Sequence, residues 1–517
     1  MGINVTEARQ ALGRIARSHG RFPGLAMAAA GVVVAWGTGI SIGRGGSTAA
    51  LIVVAAAAGA LASFLLYLFR DRLHTVWGVE APVVLLLISN QVFRLRTAAD
   101  IASNPVDTAG AFRIACVAMA GLLGAFAFLS PREKSFRDRL TTVPFRVYAA
   151  YVVVVFIGAP ISVDAPLTAY RGVELLAGLL VIAGAWNVAG HDAGRRIGTV
   201  LFWFVVGLLA TVWVGVVVAP GHAVKHSLDR NVPIPISIQG AFPDLSANSV
   251  GSLGVILTVW SMARMSASNL AERLRPAIAV PLALVGAASL LAAQYRTGYA
   301  ALIVALTAFL VLRRKWALLG TFVIVVAAVL ISVPSILSRA EPYALRGATV
   351  QKAQDLNSRV RWWGQAIQVW EESPIVGRGL LTATRFEVFQ PLGLDVTSTI
   401  HSTWVEALVG TGVLGITLLA AAFFVTFLRA TKLAFRDRGQ LVPFLLLLVL
   451  LVRSFTGSTF ESFQEEALVL FWLMLTLRSR AERRDEPTIG GHDAGARTAP
   501  SISGTSSPSS RAARRRR

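Results

Sequence analysis

The sequence predicts an all-α, polytopic integral membrane protein, a bundle of about 12–14 transmembrane helices with one large exterior helical loop. Three observations predict it. Apolar residues make up 55% of the chain and charged residues only 15%, against roughly 25% charged in soluble domains. The mean hydropathy is +0.62. The apolar residues also fall in blocks, such as "LIVVAAAAGALASFLLYLF" and "FVIVVAAVLISV". These runs sit within apolar segments of roughly 20 residues, the length that crosses about 30 Å of hydrocarbon as a helix.

Residues 1–23 are polar and basic, with no compact apolar region before a small-residue cleavage site, so they do not read as a cleaved signal peptide. Residues 24–334 carry hydrophobic segments near 24–42, 48–69, 79–93, 110–130, 143–163, 168–189, 197–219, 248–268, 276–295, 297–313 and 316–334, of which 79–93 is short. The loop 335–401 follows, then segments near 402–428, 441–460 and 463–478. The tail 479–517 is rich in Ser, Pro, Gly and Arg without periodicity, a composition that predicts disorder. Its terminal arginine run suits anionic headgroups. The Gly and Ala of the apolar blocks point to tight helix packing. The single cysteine, Cys116, lies in an apolar block and excludes an intrachain disulfide or a Cys-based metal site.

Lys and Arg number 49 against 28 Asp and Glu, a net charge of +21. In a soluble protein such an excess points to nucleic acid. Here it follows topology, and no nucleic acid partner is expected. The connections "RDRLH", "REKSFRDRL", "RRK" and "RATKLAFRDRG" are basic, whereas "ISVDAP", 220–247 and 335–401 are polar but balanced; 335–400 holds seven basic and six acidic residues. The positive-inside rule puts the first set, and both termini, in the cytoplasm. Arg94 and Arg96 run against that assignment.

The exterior loop carries the candidate chemistry. In "SRVRWWGQAIQVWEE", Val360, Trp363, Ile367 and Trp370 share one helical stripe, and "SPIVGRGL" stops the helix. Such an amphipathic helix lies on a membrane surface or caps a cavity. Arg296, Arg359 and Arg361 are exterior arginines against the charge bias. Each either binds phosphate bidentately or snorkels to headgroups. His401 stands at the mouth of an apolar segment, where it reads as packing, a pH sensor, a metal ligand or a general base. Arg453 lies inside an apolar block, with Glu461, Glu465 and Glu466 following, and reads as an ion pair or as part of a substrate site. His222 and His226, four apart, have the spacing of two metal ligands on one helical face, although no carboxylate pattern completes a site. Tyr170 and Arg171 read as interface anchors. A transporter is the rival class, but the inverted repeats that mark many transporters are not visible.

Four segments in order resemble the O-antigen ligase and polymerase superfamily of polytopic bacterial membrane glycosyltransferases. "GAFPDLSANSVGSLGVIL" is similar to its Phe-x-x-Pro-Asn-x-x-Gly segment, with Asn248 and Gly251 at matching places. "QYRTGYAALIVAL" is similar to its Ser-Arg-Thr/Gly segment, with Arg296 as the arginine. "NSRVRWWGQAIQVWEESPIVGRGL" matches Arg359, Trp363, Ala366, Pro374, Gly377 and Gly379 to a further motif. "IHSTWVEALVGTGVLG" matches His401, Trp404, Glu406, Gly412 and Gly415, with Ser402 where the family has Asn. The resemblance covers roughly 242–415.

It implies a metal-independent, inverting transfer, with no cofactor, on the outer face of the bacterial cytoplasmic membrane. The donor would be a glycan on a polyprenyl diphosphate, and the acceptor a glycan or glycolipid hydroxyl. His401, Arg296 and Arg359 would be catalytic. Arg361, Asn248, Trp363, Glu406 and Arg453 would bind substrate. The topology carries its own test. In a Cys116→Ser background, Gln390→Cys should react with a membrane-impermeant thiol reagent added outside intact cells. Labelling only after permeabilisation would reverse the orientation.

Overall fold

A computed structural model describes residues 73–93, 107–129, 142–226, 236–268, 272–321, 323–324, 359–392 and 399–477. The segments expected at 24–42 and 48–69, most of 316–334, the first part of the loop 335–401, Arg94, Arg96 and the 479–517 tail lie outside the described residues.

The fold is all-α. Helices α1 (Leu73–Phe93), α2 (Thr108–Leu129), α3 (Val143–Gly158), α4 (Ala165–Ala189) and α5 (His191–Val218) come first. A single turn, Pro220–Ala223, leads to β1 (Val224–His226), which pairs antiparallel with β2 (Ile236–Ile238). Then follow α6 (Ala247–Met265), α7 (Pro276–Ala293), α8 (Arg296–Leu312), the amphipathic α9 (Arg359–Glu371), α10 (Thr403–Arg436), α11 (Val442–Ser454) and α12 (Glu465–Thr476). Among the described residues six helices are long and apolar enough to cross a membrane, and Val79–Val92, Arg296–Leu312 and Val442–Ser454 are shorter apolar helices. The short segment at 79–93 is a genuine helix: Val79, Val83, Leu86 and Leu87 are fully buried. His222 lies within the single turn and His226 ends β1, so the two do not share a helical face.

Small residues bring the helix backbones together. A Cβ on Gly184 would stand 2.4 Å from the carbonyl oxygen of Gly124, which locks α2 to α4. Gly254 and Gly286 do the same for α6 and α7, each Cβ falling 2.6 Å from the other's carbonyl oxygen. Close approach of this kind replaces the hydrophobic driving force that lipid does not supply.

Helices α11 and α12 have 13 and 12 residues, about 18–20 Å at 1.5 Å per residue, well short of a bilayer core. They meet at a non-helical turn, 455–464, in which Thr459, Phe460 and Glu461 are fully buried. Irregular backbone survives at membrane depth only when protein satisfies it. Here α3 and α10 do so. Tyr148 donates to the Phe460 carbonyl at 2.6 Å and Tyr151 to the Glu461 carbonyl at 2.9 Å. Thr403 donates its N–H to the Gly457 carbonyl at 3.2 Å, and its Oγ1 accepts from the Thr459 N–H at 3.1 Å.

Helix α9 docks through a face that keeps Trp363 and Trp370 of the expected stripe but is turned away from Val360. Ala366 is fully buried, with Trp362, Trp363, Val369 and Trp370 packed around it, whereas Val360 is 48% exposed. The small alanine lets the helix approach most closely along its own line, so the stripe is centred there.

Helix α10 is interrupted at Gly412, whose φ of 64° and ψ of −169° are non-helical. A continuous helix would bond the Val413 N–H to the Val409 carbonyl and the Leu414 N–H to the Gly410 carbonyl. Segment 374–379 takes over both bonds. Val413 and Leu414 donate to Pro374 and Ile375 at 2.8 and 3.1 Å, and Val409 and Gly410 accept from Arg378 and Gly379 at 3.0 and 3.1 Å. Only glycine allows this contact, since a Cβ on Gly412 would fall 2.3 Å from the Ile375 carbonyl. Gly412→Ala should therefore cost about 2 kcal/mol or more, from backbone strain plus the clash. Gly364→Ala, on α9 with nothing within 4 Å of its Cβ, should be neutral or stabilise by up to about 1 kcal/mol. Thermal unfolding of the two variants in detergent checks the contrast.

Candidate active site

The inserted segment continues into a turn, Thr384–Phe389, that Glu406 of α10 holds in place. Glu406 is fully buried and accepts from the Leu381 N–H at 2.9 Å and the Thr384 hydroxyl at 2.9 Å. Arg378 braces the outer side of the turn through Glu387 and Glu372, at 2.5 and 3.0 Å. These contacts set one wall of a cavity of about 280 Å3. The remaining walls come from α1, α2, α4, α6, the residues before α10 and the turn between α11 and α12. Asn90, Arg113, Arg171, Asn248, Tyr295, Arg385, His401, Arg453, Glu465, Glu466 and the run Thr456–Ser458 all line it.

The charges in the cavity are mostly but not wholly paired. Arg113 and Arg171 share Glu174, Arg171 Nη1 donating to Oε2 at 2.7 Å. Both guanidiniums also lie against the Tyr170 ring, 5.9 and 5.8 Å from its centroid. Tyr170 and Arg171 are therefore parts of a buried network and not interface anchors. Arg453 donates to Glu466 at 2.5 Å and reaches the Tyr295 hydroxyl at 3.5 Å, and Gln91 donates to Glu465 at 2.5 Å. The ion pair expected of Arg453 is present, and the same residue lines the cavity. Arg385 differs in having no ion pair among the described residues; it is 9% exposed, it lines the cavity, and its Nε has no hydrogen-bond partner. Burial, and then the neighbouring Arg171, pull its pKa down to about 10, which leaves it charged at neutral pH.

His401 sits on the rim of this charge. Its φ of 53° is left-handed, a region that costs a non-glycine residue about 1–2 kcal/mol and that His tolerates better than most. The next residue, Ser402, caps α10, its Oγ accepting from the Val405 N–H at 3.4 Å. Ser and Asn are near-equal caps, which accounts for Ser402 standing where the resembling family has Asn. Trp363 donates to the Ile400 carbonyl at 3.0 Å and Trp404 to the Ser454 hydroxyl at 3.0 Å, so both indoles fix the backbone on either side of the imidazole. His401 Nδ1 lies 3.2 Å from the Thr399 hydroxyl. Burial, followed by the nearby Arg359 charge, pushes its pKa down to about 4.

Arg359 and Arg296 approach the same end without lining the cavity. Arg359 donates to the Thr456 carbonyl at 2.9 Å, and Thr297, next to Arg296, has its hydroxyl 2.6 Å from that of Thr456. Of the residues expected from sequence, His401, Asn248 and Arg453 line the cavity, Arg296 and Arg359 adjoin it, and Trp363 and Glu406 shape it from behind. Arg361 is exposed on α9. Sequence reasoning missed Arg113, Arg385 and Asn90. The signal for Arg113 was a charge inside an apolar block.

Residues 281–420 match a protein-family model described as O-antigen ligase. The matched stretch contains Arg296, Arg359, Arg361, Trp363, Arg385, His401 and Glu406, and leaves out Arg113, Arg171, Asn248 and Arg453. No curated relative matches the chain.

A titration of the His401 ring by NMR, with the protein unliganded, should give a midpoint near 4. Arg359→Gln should raise it, because a positive neighbour disfavours the imidazolium. A midpoint at or above 6.5 would contradict the burial described.

Proposed function

Taking residues 281–420 as an O-antigen ligase segment of a multi-pass membrane protein, we propose that the chain is a membrane glycosyltransferase. In this reading it moves an oligo- or polysaccharide from a polyprenyl-diphosphate donor to an acceptor hydroxyl on the outer face of the bacterial cytoplasmic membrane. The observation that supports it most is His401, held in a left-handed backbone at the edge of a buried, arginine-rich cavity.

The donor's diphosphate rests at the Thr456 end, where Arg296 and Arg359 neutralise it. Preorganised positive charge aimed at a leaving group is often the largest catalytic contribution, and two guanidiniums supply here what a divalent cation supplies elsewhere. With its Nδ1–H directed at Thr399, neutral His401 offers the Nε2 lone pair to the acceptor. The acceptor oxygen forms its bond to the anomeric carbon as its proton passes to Nε2. The bond from that carbon to the diphosphate oxygen breaks, and the electron pair leaves with the lipid diphosphate. Attack from the face opposite the leaving group inverts the centre. The low pKa of the free enzyme keeps the imidazole unprotonated at neutral pH, and the arriving diphosphate charge raises it towards the range a proton acceptor needs. Asn248 and Arg453 contact the substrate in the cavity, Trp363 and Glu406 hold the groups that do so, and Arg361 meets it only at the rim.

The purified protein should transfer glycan from a lipid-diphosphate donor to a glycan or glycolipid acceptor. His401→Asn, which keeps a residue tolerant of the left-handed backbone, should lower turnover by about 10²–10⁴. Arg296→Ala and Arg359→Ala should each cost roughly 10² or more, and Arg361→Ala only a few-fold. Full activity of His401→Asn and Arg296→Ala would overturn the reading. Movement of substrate across proteoliposomes without a new glycosidic bond would replace it with a transporter.

A further inference from the structure

Resting on the diphosphate being held by Arg296 and Arg359, we propose that Arg385, Arg171, Arg113 and Asn90 form a second oxyanion subsite in the same cavity, which takes a carboxylate or phosphate borne by the glycan itself.

The charge balance motivates it. Arg113 and Arg171 share the single carboxylate of Glu174, and Arg385 adds a third guanidinium within electrostatic reach of both. Among the described residues Arg385 has no ion pair. The carboxylate of Glu406, which also acts on it, is already bound by the Leu381 N–H and the Thr384 hydroxyl. Burying a charge is costly unless a partner of opposite sign arrives, and a bound anion is that partner.

Unused hydrogen-bond donors point the same way. Arg385 Nε, Arg171 Nε and Asn90 Nδ2 are buried without a hydrogen-bond partner, and their side chains line the cavity. Asn90 is 6% exposed. Three planar donor groups around one space suit the two or three oxygens of a carboxylate or phosphate. The neutral hydroxyls of a plain sugar do not answer a net positive charge.

Three of the four elements also differ from those assigned to the leaving group. Asn90, Arg113 and Arg171 stand on α1, α2 and α4, outside residues 281–420, and only Arg385 lies inside them, whereas Arg359 and Thr297, next to Arg296, contact Thr456. The cavity of about 280 Å3 is near the lower bound of ligand sites, roughly 300–1,000 Å3, a size that suits one sugar unit with its acidic group. On this reading the transferred or accepting glycan carries an acidic residue in register with the reacting carbon.

Calorimetric titration of the full chain in nanodiscs tests it with four ligands: methyl glucuronide, glucose 6-phosphate, neutral methyl glucoside and inorganic diphosphate. At least one acidic sugar should bind tenfold or more tightly than the glucoside, and the tighter of the two identifies carboxylate or phosphate as the natural group. Arg385→Gln should abolish that preference and Asn90→Ala should reduce it several-fold. Arg359→Gln should leave it intact while weakening diphosphate. Equal binding of acidic and neutral sugars, or a preference that survives Arg385→Gln, would overturn the proposal. So would diphosphate affinity lost with Arg385→Gln but kept with Arg359→Gln, since the cluster would then belong to the leaving group. Should Arg385→Gln fail to fold, Asn90→Ala carries the same comparison. The transfer assay with His401→Asn fails or succeeds independently of these titrations.

Discussion

At Gly412 helix α10 gives up two of its own hydrogen bonds, and the backbone of 374–379 takes them. Nearly every feature of the candidate site hangs on that exchange. It fixes the segment 374–379 against a membrane-length helix by main-chain bonds, which do not slide as a side-chain contact would. With Gly379 anchored, Glu406 one turn earlier in α10 captures Leu381 and Thr384, and Arg385 is delivered to the cavity wall. The matching glycines are needed because backbone must lie on backbone, and the break costs little because each lost bond is replaced.

The second requirement is a floor for the cavity, which the turn between α11 and α12 provides. Non-helical backbone inside a membrane bundle exposes carbonyls that lipid cannot satisfy. The hydroxyls of Tyr148 and Tyr151, together with Thr403, answer them. Once satisfied, the turn exposes Thr456, Gly457 and Ser458 to the cavity and sets Arg453 against Glu466. Thr456 then accepts Arg359. In this way α3 meets α9, α10 and α11 at one place although it lies far from them along the chain.

Electrostatically the cavity holds more guanidinium than carboxylate. Arg453 pairs with Glu466, and Arg113 and Arg171 both pair with Glu174, all of them buried. Arg385, without an ion pair among the described residues, adds to the positive excess. In the proposed reaction the half-buried imidazole beside such a surface is neutral until an anion arrives, which would couple substrate binding to proton acceptance through the same field.

Much of this was legible in the sequence for local reasons. Apolar blocks of membrane-spanning length predicted the helices, including the short one at 79–93, because burial in lipid or protein demands the same residues. His401, Arg359 and Arg296 stood out because each occupies a border where its type is unexpected. The role of Ser402 became clear only when its position proved to be a helix cap. Other features depended on contacts between distant segments. The face of α9 was decided by the close approach at Ala366, not by the stripe through Val360. Arg171 read as an anchor because its neighbour Glu174, one helical turn on, does not reveal that the fold brings Arg113 to the same carboxylate in the interior, and Arg385 and Asn90 carried no local signal. The sequence by itself determined which stretches are helical and which residues are chemically suited to phosphate and hydroxyl. Only the tertiary structure decided which of them share a cavity, because that follows from main-chain exchange at Gly412 and from helix pairs whose packing no local pattern encodes.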